Sequence, residues 1–283
     1  MPESNNVVEQ TAISLPAKPK KEGGLLSAFL PNQIVSPNIM RLLIGAEALI
    51  FLVIWINSPF KVLPRPFEVI EALKQLWMKG GLGHELLSSF QLNLQALGLT
   101  TLISLAFAYL TVLPVMRPIV AAISKARFLS LVGFPLVFTL IFGGGRPLQL
   151  GLMVFGMSVF FVTSMSSVVE DIPSDQFDYA RTLRMKEWRV VWEVVILGTL
   201  DRAFEVMRQN AAIGWLMLTM VEGISRAEGG IGVMLLNENR YQKLPEVFAI
   251  QIVFLIVGLF QDSLIGLLRR VVCPYAQLTL ERK

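Results

Sequence analysis

The sequence is short of the side chains that most enzymes use for chemistry. It has one cysteine, Cys273, and one histidine, His84, among 283 residues. A lone cysteine excludes a disulfide within the chain, an iron–sulfur cluster held by its cysteines and a cysteine-based zinc site. A single histidine likewise excludes a metal centre built from several histidines. We therefore predict no catalytic residue, no metal site and no cofactor, and expect that the chain is not an enzyme.

Charge is scarce as well. Charged residues make up 16% of the chain, whereas soluble domains average about 25%. Hydrophobic residues make up 54%, and the mean hydropathy is +0.60. Such a chain lacks the polar surface of a soluble domain and is too apolar to stay disordered. A lipid bilayer is the solvent that fits this composition.

Motifs for nucleotide binding and hydrolysis are absent too. There is no G-x-x-x-x-G-K-[ST] loop, and the run Gly143-Gly144-Gly145-Arg146 has neither its spacing nor its lysine. No H-E-x-x-H or G-x-S-x-G motif occurs. We therefore expect that this chain does not bind ATP through a phosphate-binding loop.

Long apolar runs dominate instead. A helix needs about 20 mostly apolar residues to cross a bilayer. Six stretches fit a crossing, although Pro135 interrupts the third and Arg208 weakens the fifth: 39–57, 92–113, 127–142, 148–168, 206–222 and 246–268. The predicted fold class is an all-α polytopic membrane protein, with six transmembrane helices in a membrane domain over residues 39–268.

Basic residues set the expected orientation, because they are retained on the cytoplasmic side. With the N-terminus inside, the cytoplasmic segments hold 17 of the 25 lysines and arginines, and the outer segments hold 8. Both termini are therefore predicted to be cytoplasmic. Residues 1–38 are polar and lack the short apolar run of a signal peptide, so we expect a flexible cytoplasmic tail. A second cytoplasmic tail is predicted over 269–283.

Between the first two spans, residues 67–78 are predicted to form an amphipathic helix. Phe67, Ile70, Leu73 and Trp77 recur at helical spacing, with charged residues between them. Such a helix lies along the membrane interface, and we expect it to pack there rather than to bind a ligand.

One inner segment, 169–208, is too long and too polar to be a simple connection. The run QFDYARTLRM indicates one helix. The run KEWRVVWEVVIL indicates a second, whose apolar residues follow helical spacing: Trp188, Val191, Trp192 and Val195. From residue types alone, the segment is either a docking element for a soluble partner or an amphipathic hairpin resting on lipid headgroups.

The run Asp178-Tyr179-Ala180-Arg181-Thr182-Leu183 resembles the cytoplasmic EAA loop of ABC-importer permeases, in which Glu-Ala-Ala is followed three residues later by Gly. Further features along residues 39–275 resemble one subgroup, the nitrate/sulfonate/taurine-type permeases. They are Val62-Leu63-Pro64-Arg65-Pro66; Pro135-Leu136 followed by Phe142-Gly143; Arg208, Trp215 and Glu222; and Gly230-Ile231-Gly232. Their common order and spacing carry the resemblance.

The resemblance implies a type I ABC-importer permease architecture (MetI-like), which forms a substrate pathway in the bacterial cytoplasmic (inner) membrane. The implied partners are cytoplasmic ABC ATPase subunits, a second identical or related permease copy, an extracytoplasmic solute-binding protein and the lipid bilayer, with no nucleic acid. Residues 169–205 would be the coupling loop. Its candidate ATPase-coupling residues are Asp178, Tyr179, Ala180, Arg181, Thr182, Leu183, Arg184, Met185 and Trp188.

The coupling loop departs from the resembled pattern. Asp178-Tyr179 stands where Glu-Ala is usual, Arg184 where Gly is usual, and Leu197 and Asp201 where the subgroup has prolines. A residue other than glycine in a left-handed turn costs about 1 kcal/mol. We therefore expect that the loop either turns differently or is stabilised by a partner surface that accepts an arginine.

Polar residues within predicted spans are candidates for a substrate path, because they are costly in lipid. Each is equally consistent with hydrogen bonds between helices. The candidates are Thr139, Ser158, Trp215, Thr219, Glu222 and Gln251.

Two other classes of function compete with a permease subunit. A stand-alone secondary transporter is the main alternative, but the six spans show no clear repeat of broken helices. A membrane-embedded enzyme lacks the histidines and cysteines it would need. The resembled subgroup handles nitrate, sulfonates, taurine, bicarbonate and heterocyclic vitamin precursors. The outer charges are close to balanced and favour none of them.

Overall fold

The computed structural model describes residues 36–57 and 63–274, and every regular element in these ranges is helical. The α-helices are α1 (Pro37–Ile56), α2 (Pro66–Met78), α3 (Leu82–Leu110), α4 (Arg117–Lys125), α5 (Pro135–Phe142), α6 (Arg146–Glu170), α7 (Ser174–Thr182), α8 (Glu187–Val190), α9 (Leu200–Ile224), α10 (Ile231–Arg240) and α11 (Leu244–Val272). Three 3-10 turns cover Ala126–Phe128, Leu131–Gly133 and Arg226–Glu228, and a π-helix covers Val191–Leu197. The all-α prediction is confirmed. Most of the two predicted tails, 1–35 and 275–283, lies outside the described residues.

Helix α1 belongs to a unit of its own, and a second unit begins at Val62. Ser36 caps α1 by accepting a hydrogen bond from the Ile39 N–H (3.5 Å). Pro37 occupies the first turn, where its missing N–H has no partner to lose. The helix has a mean hydropathy of 2.3 and no buried side chain. Its 20 residues span about 30 Å, the thickness of the hydrocarbon core.

Four helices of the described ranges are long and apolar enough to cross a membrane: α1, α3, α6 and α11. They contain most of the first, second, fourth and sixth predicted spans. The fifth predicted span lies within α9, which is not among the four. Asp201, Arg202, Glu205 and Arg208 make the start of α9 polar.

The third predicted span, 127–142, is broken rather than one continuous helix. Helix α5 provides only its last eight residues, and two 3-10 turns precede it. Pro135 lacks the N–H that a continuing helix would need, whereas it is well suited to the first position of a new helix. The helical part also begins earlier than predicted, at Arg117, where α4 starts.

The broken element 117–142 runs alongside α6 in the opposite direction. Helices α4 and α5 both pack on α6. Leu131 approaches Gly156, whereas Phe138 and Phe142 approach Gly151, where a Cβ would lie 3.1 Å from either ring. Higher numbers on one element therefore meet lower numbers on the other, which is the arrangement of two antiparallel neighbours.

Helix α6 is the centre of the second unit and packs against α3, α9, α4 and α5. Phe161 and Met165 of α6 are fully buried against Ala108 of α3 and against Ala203 and Val206 of α9. Small residues at these positions let the helices approach closely, and close packing is the main attraction between helices in lipid. Truncating Phe161 to alanine would cost about 3–5 kcal/mol.

Helix α2 has the predicted two faces and the predicted end at Met78, and it begins one residue earlier than predicted, at Pro66. Val69, Ala72 and Leu76 are buried against the rest of the unit. Phe67 and Trp77 belong to the predicted apolar stripe and are 75% and 56% exposed. An outward apolar stripe is what a helix at the membrane interface presents to lipid.

Candidate functional site: the coupling segment and its surroundings

Helix α7 ends in a left-handed turn at Arg184. The Arg184 N–H donates to the Arg181 carbonyl (2.8 Å), and the Met185 N–H donates to the Ala180 carbonyl (3.4 Å). These two bonds form a Schellman motif, in which glycine is the usual left-handed residue. Arg184 has φ 54°. The turn therefore keeps the conformation of the glycine that it lacks, at a strain of about 1 kcal/mol.

Three large apolar side chains project from this hairpin. Tyr179, Leu183 and Trp188 are 76%, 68% and 69% exposed, while Ala180 between them is buried. We call these three residues the docking patch. Exposed apolar side chains on a short polar hairpin are consistent with both alternatives from the sequence, a soluble partner and lipid headgroups.

Ion pairs within the hairpin use Arg181 but leave other cations free. Arg181 lies 3.4 Å from Asp178 and 3.4 Å from Glu187, so it links α7 to α8. Both pairs are exposed and contribute below about 1 kcal/mol each. Arg184 and Lys186 form no ion pair with any residue in the described ranges. Their charges are available to a partner.

The π-helix changes which face of the second half is buried. The sequence predicted one α-helical face through Trp188 and Val195, but Val190 and Val195 are buried and Trp188 is exposed. A π-helix bonds each carbonyl to the N–H five residues later, as the Gly198 N–H does to the Glu193 carbonyl (3.1 Å). Residues five apart therefore share a face, and the predicted face is wrong.

An ion network joins the start of α9 to the end of α11. The Arg208 guanidinium donates to both oxygens of Asp262 (2.8 and 2.6 Å) and to Glu205 (3.3 Å). Arg269 lies 2.9 Å from Glu205 and 4.0 Å from Asp201. A bidentate arginine–carboxylate pair is the strongest of the side-chain ion pairs. We call these five residues the α9–α11 ion network.

Glu222 is buried and accepts hydrogen bonds inside the protein. The Ser89 hydroxyl donates to one carboxylate oxygen (2.5 Å), and the Gly232 N–H donates to the other (2.6 Å). The Ile231 N–H in turn donates to Ser89 (2.8 Å). Gly230 has φ 109°, and a Cβ there would collide with the Glu222 carboxyl. Glu222 thus fastens the Gly-Ile-Gly turn to α3.

Trp215 is also held inside the helix bundle. Its indole N–H donates to the Gln261 side-chain carbonyl (2.8 Å), which also accepts from the Asn93 amide (3.2 Å). Asn210, one turn before Gly214, is buried with neither amide atom paired to another described residue. A polar layer therefore lies between α3, α9 and α11.

The six predicted path residues lie in different surroundings. Glu222 and Trp215 are buried and hydrogen-bonded as above, and the Ser158 hydroxyl is buried without a partner in the described ranges. Thr139 and Thr219 donate to carbonyls of their own helices (2.7 and 2.9 Å). Trp215 and Gln251 line one groove, of about 440 Å³, between α9 and α11. The path role of these residues stays a prediction.

The sequence reasoning missed the partners of Arg208. Asp201, Glu205 and Arg208 follow the i, i+4, i+7 spacing of one helix face, and Asp262 and Arg269 are seven residues apart on another. Acidic and basic residues at these spacings in two apolar helices were the sequence signal that could have indicated an ion network between the helices. No group of three metal-ligating side chains occurs in residues 36–57 and 63–274.

No protein-family model matches the chain. A protein of Bacillus subtilis (strain 168) described as the aliphatic sulfonates transport permease protein SsuC is 26% identical over 215 residues. The matched region covers 74% of this chain and 76% of SsuC.

The long apolar helices and this similarity define the class of protein first: the chain is a multi-pass membrane protein of the transport-permease kind. More particularly, it is a transmembrane permease subunit of an ABC importer, similar to the sulfonate-type permease. This conclusion agrees with the resemblance carried by residues 178–183.

Proposed function

We propose that the chain forms the translocation pathway of an importer for small organic oxyanions of the aliphatic sulfonate class. The similarity to SsuC over 74% of the chain is the observation that carries this proposal. ATP hydrolysis is assigned to separate cytoplasmic ABC ATPase subunits, since the sequence has no phosphate-binding loop. The chain itself is a non-catalytic subunit.

We infer six crossings in the MetI-like arrangement of the bacterial inner membrane. The four apolar helices supply four of them. The broken element 117–142 supplies another, because it runs antiparallel to α6 along most of that helix. Helix α9, with 25 residues and a length of about 37 Å, supplies the last. An even number of crossings agrees with two cytoplasmic termini.

The ATPase is proposed to bind at the coupling segment between α6 and α9. The docking patch supplies apolar anchors, and Arg184 and Lys186 supply unpaired cations around it. Grooves of soluble partners bind short helices through such anchors. A second permease copy and an extracytoplasmic solute-binding protein complete the proposed assembly.

Uptake of radiolabelled ethanesulfonate tests the proposal. The host would be a bacterium without its own sulfonate and taurine permeases, carrying this chain with the ATPase and binding protein of its own system. We expect ATP-dependent uptake that is lost when only this chain is omitted. Taurine and nitrate as competitors identify the other cargo classes. Equal uptake with and without the chain would refute the proposal.

A stand-alone secondary transporter gains no support from the comparisons. The exposed docking patch would also have no partner in such a protein. Uptake without any ATPase subunit in the same assay would be the result that favours it.

A further inference from the structure

A cavity of about 820 Å³ lies beside the coupling segment, and none of the predicted path residues lines it. Its walls come from the end of α3, from α4 and the 3-10 turn after it, and from the end of α6. Phe177 of α7 and Val195 of the π-helix close it toward the coupling segment. We call this cavity the basic chamber.

Three cations line the basic chamber: Arg117, Lys125 and Arg127. Glu170 is the one acidic residue among the described lining residues, so the lining carries an excess of two positive charges. Lys125 and Arg127 form no ion pair in residues 36–57 and 63–274. The chamber therefore carries more positive charge than its one carboxylate balances.

Two hydroxyl groups in the walls already donate hydrogen bonds within the protein. Thr163 donates to the Val159 carbonyl (2.7 Å), and Ser166 donates to the Thr163 carbonyl (3.0 Å). Their protons are already used within α6, so an anion in the chamber meets the cations rather than these hydroxyls. Ser124 of α4 is also in the wall, and no hydrogen bond uses its hydroxyl in the described ranges.

The cations of the basic chamber are accessible to solvent. Arg117, Lys125 and Arg127 are all exposed, and all three line the cavity. Charged side chains of a membrane protein face water or a partner charge, because hydrocarbon does not solvate them. A wet, positively charged chamber follows.

We propose that the basic chamber binds the oxyanion head, sulfonate or phosphate, of an organic anion beside the coupling segment. This inference rests on the proposed function and deepens it. Arginine and lysine are the side chains that recognise such heads. A volume of about 820 Å³ is within the range of small-molecule sites. Because Phe177 and Val195 form part of the wall, an occupied chamber touches the segment that we assign to the ATPase.

The test measures ethanesulfonate binding to the complete complex in phosphatidylcholine nanodiscs. We expect the double variant Lys125→Gln/Arg127→Gln to raise the dissociation constant at least tenfold. Arg270→Gln is the matched control, since it removes an exposed cation of α11 outside the chamber. The charge-preserving variant Lys125→Arg/Arg127→Lys should bind within threefold of the wild type. Neutral dimethyl sulfone should not bind.

Two further arms separate the sources of the anion. Displacement of ethanesulfonate by phosphatidylglycerol in the nanodisc, but not by phosphatidylcholine, would assign the head to a lipid. No displacement would assign it to the soluble anion. Equal ethanesulfonate affinity in the wild type and the Gln/Gln variant would overturn the proposal that the basic chamber binds the anion. The uptake assay tests the proposed function separately. If the wild type takes up ethanesulfonate and the Gln/Gln variant binds it normally, the anion site in the chamber is refuted and the proposed function is not.

Discussion

Two residues other than glycine have a left-handed backbone in the described ranges, Arg184 (φ 54°) and Gln242 (φ 56°). A Cβ in this conformation is strained, and glycine removes the strain. We predict that Arg184→Gly and Gln242→Gly each raise the free energy of unfolding by about 1 kcal/mol. Thermal unfolding in detergent measures this. Arg184→Ala keeps the Cβ and is the control; an equal midpoint for Arg184→Gly and Arg184→Ala would contradict the strain.

The same arginine has a second expected effect, which Gln242 does not share. If Arg184 meets a carboxylate or carbonyl of the ATPase, the charge-assisted contact contributes about 1.5–3 kcal/mol. Arg184→Glu should then lower substrate-stimulated ATPase activity at least about tenfold, while Gln242→Glu should not. Leu183→Asp should be equally severe, because Leu183 is 68% exposed in this chain and an aspartate would be buried unpaired in the interface. Wild-type coupling in both variants would contradict the proposal that the ATPase binds at the docking patch.

The α9–α11 ion network is the element-scale feature that invites a direct test. Arg208 and Asp262 are half-buried and make two short bonds (2.8 and 2.6 Å). Asp262→Ala should lower the free energy of unfolding by about 1–3 kcal/mol, since the guanidinium loses both bonds. The neighbouring exposed Ser263→Ala should have almost no effect. The swap Arg208→Asp/Asp262→Arg should regain part of the lost free energy of unfolding. A swap variant no more stable than Asp262→Ala would contradict a stabilising role of this ion pair.

The helices could be predicted from the apolar runs of the sequence, but the breaks within them could not. The bounds of α2 agree with the prediction to within one residue because its apolar spacing and the glycines after it are local signals. The break before α5 needed more than Pro135, since proline in a span is also compatible with a kinked helix. The π-helix has no local sequence signal at all, so the buried face through Val190 and Val195 could not be predicted.

The candidate site divides in the same way. The sequence showed that Arg184 stands where the resembled motif has glycine. The left-handed backbone of Arg184 agrees with that position. Glu222 and Trp215 were predicted as path residues because polar groups in spans are costly. Their partners Ser89 and Gln261 lie 133 and 46 residues away in the chain. Such distant pairings depend on how helices pack, which a single sequence does not reveal.

At the scale of the whole molecule, the orientation in the membrane follows from the 17 inner and 8 outer basic residues. We predict that a cysteine at Lys186 is labelled only from the cytoplasm and a cysteine at Arg226 only from outside. Both sites are exposed, and Cys273→Ser provides a background without other cysteines. A membrane-impermeant maleimide on intact cells reports the outer sites. Labelling of position 186 from outside would reverse the topology.

The last prediction concerns the number of permease copies. Gln251 is exposed although it lies seven residues after the start of α11, about 10 Å along the helix. It lines a groove with Arg208 and Asp262. Polar groups at this depth are costly against lipid, so we expect a second permease copy to cover this groove.

Cross-linking measures that assembly. In the Cys273→Ser background, Gln251→Cys should give a disulfide-linked dimer upon oxidation in membranes. Leu102→Cys is the matched control and should give no disulfide-linked dimer. Leu102 is 72% exposed but lines a separate groove between α3 and α11. Native mass spectrometry of the detergent-purified complex should show two permease copies, or one of this chain with one related permease. A single copy that still transports would contradict the dimer, because one copy would then enclose the whole pathway.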